Sequence, residues 1–239
     1  MAEQRSRFSS LDGQMSRSFS LLDMLTLGDL ATYLGRAGRV EEGSVRLIAG
    51  SGVLAAYTAI LYPSGLLDES PTVLGLRTLA LEGRDADFDA VVPVRSLIER
   101  LKRLQAQQTE GSVTVSLPIE VSTVTWAGIS PPRGGWKKVH EVSAGALDRV
   151  ARAGIDEVAA AVPTGTGEQI VRRVRSEVWG RPVPEAEHLP AGAGFAAFSL
   201  GFLADPDEVI PVYEAGPWSR VSSQRGHVLV RRRAWSLLG

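Results

Sequence analysis

Three histidines, His140, His188 and His227, are the side chains of this sequence best suited to moving a proton or holding a metal. His140-Glu141 opens the zincin pattern, but position 144 is alanine, so the second zinc-binding histidine is missing. His188 ends Pro184-Glu185-Ala186-Glu187-His188, with two carboxylates close by. A metal or acid–base pair is conceivable there; a loop histidine beside solvated glutamates is the plainer reading. His227 follows a glycine at a strand start, where hairpin packing explains it. No Gly-x-Ser-x-Gly elbow and no Ser-x-x-Lys signature occurs. A triad assembled from distant positions would leave no such flag.

Thr164-Gly165-Thr166-Gly167-Glu168 opens a predicted helix, whose free N–H groups suit an anion. No Gly-Lys-Ser/Thr follows and the third glycine of a dinucleotide fingerprint is lacking, so a capped turn between helices is expected. The acidic run Glu82, Asp85, Asp87 and Asp89 has no calcium-loop spacing and reads as a solvated turn. The chain has no cysteine, which removes disulfides, thiolate nucleophiles and cysteine-ligated zinc. No cofactor or metal is expected.

The most shaped stretch is Trp126-Ala-Gly-Ile-Ser-Pro-Pro-Arg-Gly-Gly-Trp136. Its prolines fix φ and its glycines widen the conformational range, so an ordered loop is expected. One of its indoles should be mostly buried with its N–H hydrogen-bonded, and Arg133 should project. From Gly216 to Gly239 the chain carries Arg220, Arg225, Arg231, Arg232 and Arg233 without a single Asp or Glu, with Trp218 and Trp235 interleaved. Arginine beside aromatics can hold single-stranded nucleic acid. Arginine on a terminal edge strand also blocks stray sheet pairing, which is the reading preferred here.

These residues need a scaffold. At 239 residues, 44% hydrophobic and 22% charged, the chain is long enough and apolar enough for a substantial core. The net charge of −1 gives no global pull toward nucleic acid or membrane. Only Lys102, Lys137 and Lys138 are lysines, a bias read as GC-rich coding. No signal peptide is evident. Leu47 to Leu67 is uncharged, but Gly50-Ser51-Gly52 and Pro63-Ser64-Gly65 interrupt it, so two buried strands are expected rather than a span.

In order, residues 1–20 read as a disordered tail. A helix follows over Thr26–Arg39, stopping at Gly38, then strands over Val45–Ile48, Val53–Leu61 and Thr72–Leu81. The third strand is apolar on both sides, hence central. Val94–Gln105 is an amphipathic helix with Leu97, Ile98, Leu101 and Leu104 inside. Val113–Leu117 and Ile119–Trp126 read as strands. Beyond the tryptophan loop come a helix from Ser143 to about Pro163 and another over Gly167–Trp179, with Ile170, Val171, Val174 and Val178 inward. Pro182–Gly194 reads as irregular, Phe195–Leu203 as a buried strand rather than a short helix, and Val209–Tyr213, Trp218–Ser222 and His227–Arg233 as strands. The class is α+β with a mainly antiparallel sheet. The division is a 21–126 lobe and a 127–239 segment of a helix pair and β-rich end, or one domain over 21–239. No internal repeat is visible.

The tryptophan loop, with Gly216-Pro-Trp-Ser-Arg220 and Arg225-Gly-His-Val-Leu-Val-Arg231, resembles segments of uncharacterised proteins of high-GC actinobacteria. The resemblance covers much of the chain after the tail. It implies a bacterial cytosolic protein and carries no activity, cofactor or site. The functional expectation is a non-catalytic, cytoplasmic binding or regulatory protein that self-associates or takes a protein partner, with no membrane. Binding residues are expected at Trp126, Arg133, Trp136, His140, Trp218 and Arg220. A hydrolase or transferase with a site from distant residues is the alternative, so enzyme status stays open. Nucleic acid, bound through the arginine-rich C-terminus, is the least expected of the three.

Overall fold

The computed structural model describes residues 17–231 except 64, 66, 67, 69, 108, 109, 123 and 164. The front half runs β1 (Ser18–Leu21), α1 (Met24–Val40), β2 (Ser44–Gly50), β3 (Val53–Leu61), β4 (Thr72–Ala80), β5 (Phe88–Pro93), α2 (Val94–Ala106) and β6 (Val113–Ser116). A 3-10 turn over Thr125–Gly128 leads into β7 (Lys137–Ser143), α3 (Ala144–Ala161), α4 (Glu168–Gly180), β8 (Pro182–Val183) and β9 (Ala186–Pro190). The chain closes with α5 (Ala191–Leu200), β10 (Val209–Ala215), β11 (Trp218–Ser223) and β12 (Gly226–Arg231).

Eight of these strands form one antiparallel sheet in the order β5-β2-β3-β4-β12-β11-β10-β7. The class is therefore α+β, as expected. Four strands come from before Trp126 and four from after it, and β4 meets β12 at the centre. Each half has the same plan: a strand, a helix and three strands (β1-α1-β2-β3-β4 and β9-α5-β10-β11-β12). Each half adds an outer strand followed by one helix or two and a short strand, β5-α2-β6 in one and β7-α3-α4-β8 in the other. The short strands pair in matching fashion, β6 with β1 and β8 with β9. This repeat of topology corrects the reading of a chain without one.

The helices lie on one face of the sheet, α1 against α2, α3 against α5, and α1 against α5 across the centre. In β2 the alternation turns Val45, Leu47 and Ala49 to the helices and Arg46 and Ile48 to the other face. The β2–β3 hairpin turns on Ser51 and Gly52, both with positive φ, as a tight hairpin loop requires. This hairpin accounts for the uncharged stretch, and no helix among the described residues is long and apolar enough to cross a membrane. Where the halves meet, Gly75 of β4 gives room to Leu200: a methyl group there would stand 2.3 Å from its Cδ1. Arg36 of α1 donates to Leu200 O at 3.1 Å, capping α5 from the other half. Tyr33 stacks on Phe202 at 6.0 Å and hydrogen-bonds Thr58 at 2.8 Å; burial pushes its hydroxyl pKa up.

Several sequence expectations need correction. Phe195–Leu200 lies in the helix α5, which starts at Ala191 inside the stretch read as irregular and ends before Gly201. It is buried on nearly every side, so it has no polar face and no helical period to read. Gly192 and Gly194 let it press close, with Leu147 O only 2.9 Å from where a Cβ on Gly194 would be. The same stretch holds β8 and β9. Among the described residues Ile119–Trp126 forms no strand, and Thr125 and Trp126 belong to the 3-10 turn. Gly38 lies within α1 rather than stopping it. Ile170 of α4 is 58% exposed, not inward, while Val178 and Trp179 are buried. The stretch read as tail reaches too far, because Ser18–Leu21 is a strand with Phe19 and Leu21 in the core. Residues 1–16, Thr164, Arg232, Arg233 and Trp235 lie outside the described residues.

Candidate functional site

The face of the sheet away from the helices has its own apolar cluster, comprising Ala59, Leu74, Leu76 and Leu229 with Trp126, Ala127 and Trp218. Residues 124–136 cross this face and link the two halves. The path begins where Val121 N–H donates to Val91 O at 2.8 Å, along the outer edge of β5. The 3-10 turn then drops Trp126 into the cluster, leaving it 5% exposed. Arg46 holds the crossing down. Its Nη1 donates to Ala127 O and to Ser130 Oγ, both at 2.7 Å. Its Nε and Nη2 grip both oxygens of Asp89 at 2.8 and 2.6 Å. That grip holds the Asp89 carboxyl below the usual carboxylate range and raises the Arg46 pKa, each through its hydrogen bonds to the other first.

Beside the crossing lies a shallow cleft. Ile48, Tyr57, Leu74, Trp126, Ile129 and Pro131 supply apolar walls, and Arg46 and Arg133 the charge. Arg133 projects into solvent as expected. On the other side of Trp126 a second hollow is lined by Ser44, Thr58, Thr125, Tyr62 and Glu41, with Ala37, Ala59 and Val94 among its apolar walls. Further along, Trp136 donates its indole N–H to Pro132 O at 3.1 Å and remains half-buried. Burial and the recorded indole hydrogen bond thus fall to different tryptophans of the loop. The Trp136 ring covers Arg220, whose Cζ stands 4.6 Å from its centroid and 4.7 Å from that of Tyr213.

Of the expected binding residues, Trp126, Arg133, Trp136, Trp218 and Arg220 gather on this face. His140 does not. It pairs with Val212 of β10, whose side chain packs with the helices, so it stands on the opposite face. There its Nε2–H donates to Glu185 O at 2.7 Å and its ring meets His188 edge-on at 5.6 Å. Arg46, Asp89, Tyr57 and Tyr213 were missed, although an arginine alone in the apolar run of β2 is a signal that can be read. Among the described residues the C-terminal arginines do not converge: Arg220 lies against Trp136, Arg225 sits in the β11–β12 turn, and Arg231 is exposed at the end of β12. Asp89, read as part of a solvated turn, is in β5.

His227 hydrogen-bonds Ser222 (Nδ1 to Oγ, 3.0 Å) across the β11–β12 hairpin, and the pair lines neither hollow beside Trp126. Burial first, then the charges of Arg220 and Arg77, hold its pKa below the ordinary value. The folded chain therefore takes up this proton less readily than the unfolded chain. Stability should fall as the pH drops below about 6.5, the unfolded value for histidine. Denaturant midpoints at neutral and mildly acid pH check this: the drop should be smaller in His227→Gln than in the wild type.

Residues 15–126 match a domain of unknown function, DUF8010, and residues 131–235 match a second, DUF8185. The resemblance to an uncharacterised family therefore holds. No curated protein sequence matches the chain. Among solved structures, Caulobacter crescentus pol III beta aligns with a TM-score of 0.51 at 13% identity, over 90% of this chain and 64% of that one. The DNA polymerase III subunit beta from Pseudomonas aeruginosa aligns with a TM-score of 0.50 at 12% identity, over 93% and 68%. A DNA polymerase sliding clamp from Caulobacter crescentus gives 0.49 at 14% identity, over 90% and 65%. At such identities the likeness is one of fold, and the chain spans 64% of the length of the Caulobacter subunit.

Proposed function

We propose that this chain is a non-catalytic binding scaffold of the bacterial cytoplasm whose protein partner docks on the outer face of the sheet, at the crossing loop. The cleft beside Trp126 carries this reading: apolar walls fixed by Arg46, with Arg133 exposed at the rim. A firm apolar cleft with a free arginine is the kind of place where a few partner residues supply most of the binding energy. The likeness of fold to a polymerase subunit is in keeping with a scaffold. Capture from host lysate with wild-type and Arg133→Glu baits tests the reading. A partner held by the wild type and lost from an equally stable Arg133→Glu is expected; identical captures from both baits would refute it.

A second reading is favoured by the same likeness. A fold shared with a DNA polymerase subunit brings nucleic acid back into consideration. On α2, Arg95, Arg100, Lys102 and Arg103 lie outside the buried stripe of Val94, Leu97 and Leu101. Duplex DNA affinity that weakens steeply with salt and is lost when Lys102 and Arg103 become glutamine would favour it.

A further inference from the structure

Arg220 differs from every other arginine on this face. The Trp136 and Tyr213 rings both lie against its guanidinium, whose Cζ stands 4.6 and 4.7 Å from their centroids. Its Nε–H is buried and has no hydrogen-bond partner among the described residues. No carboxylate pairs with it among the described residues, whereas Arg46, four strands away, has Asp89, Ala127 O and Ser130. A buried donor left open is costly in a folded chain, and a guanidinium without a carboxylate keeps its charge available to one from outside.

We propose that Arg220 receives a carboxylate of the partner segment whose apolar residue seats beside Trp126. The partner is thus an acidic and apolar peptide, a conclusion that rests on the docking reading above. The spacing follows from the sheet. Leu74 lines the cleft, Leu229 stands opposite it on β12, and Arg220 stands opposite Leu229 on β11. Two strand steps put the arginine about 10 Å from the cleft, a span of about three extended residues. The charge favours a carboxylate over a phosphate. Lys138, which flanks Tyr213 from β7, is paired with Glu141, so Arg220 is left as one positive charge whose planar fork the two oxygens of a carboxylate can meet.

Selection of short random peptides on the full chain tests this, using one library with free C-termini and one with the C-terminus fused. Enriched peptides should carry a large apolar residue and, about three positions away, a carboxylate. Enrichment in both libraries assigns it to an Asp or Glu side chain, and in the free-ended library alone to the terminus. Affinity should fall about tenfold or more in Arg220→Gln and less in Arg220→Lys, which keeps the charge and loses the fork. Arg220→Lys keeps the test open if Arg220→Gln fails to fold. Peptides that depend on Arg133 but lack an acid and ignore both Arg220 variants would overturn this inference and leave the docking reading standing. Failure to enrich any peptide sensitive to Arg133→Glu would overturn both.

Discussion

Trp179→Ala should lower folding stability by about 3–5 kcal/mol, the range for removing a large aromatic from a core. The indole is 2% exposed at the end of α4 and stacks on Phe195 of α5 at 4.3 Å. On its far side a Cβ on Gly154 of α3 would stand 2.3 Å from the ring. Three helices therefore close on one side chain, and neither α3 nor α5 can move into the space without parting from the other. Denaturant unfolding gives the value directly. A loss below about 1 kcal/mol would mean that α4 does not pack as described. Gly154→Ala approaches the same contact from the opposite direction, and overfilling there should cost about 1–3 kcal/mol.

Trp126→Ala should cost a similar amount, about 3–5 kcal/mol, for a different reason. This indole is the main apolar anchor of the crossing loop and the wall between the two hollows beside it. Removing it joins them into one wet groove rather than a closed cavity, and the polar groups of Ser44, Thr58 and Thr125 admit water. The Arg46 bonds to Ala127 O and Ser130 remain, so the loop should stay attached but exchange its amide protons faster. Unfolding curves and exchange across residues 124–136 check both parts. Trp136→Ala should cost less, because that ring is only partly buried against the apolar cluster and Arg220.

Much of this fold can be read from sequence where burial is one-sided. The β3 strand has the expected ends, β4 is central as its two apolar faces imply, and α2 shows a clean stripe. The signal fails at both extremes of burial. The α5 helix is buried all round and loses its period, while β7 is exposed over Lys137–Glu141 and shows no alternation. The β5 strand hides behind its acidic neighbours. The repeated plan is invisible because the two halves share an order of elements and not a pattern of residues. At the candidate site, composition marks the tryptophan loop, but the residues that hold it come from β2, β5, β10 and β11, far away in the chain.

Hydrogen exchange of the full chain, alone and with its captured partner, addresses the scaffold reading most directly. The account predicts slowed exchange over residues 124–136 and in β10 and β11 around Tyr213 and Arg220, with α2 and α3 unchanged. Protection confined to α2 and α3, with the crossing loop exchanging as in the free chain, would contradict it.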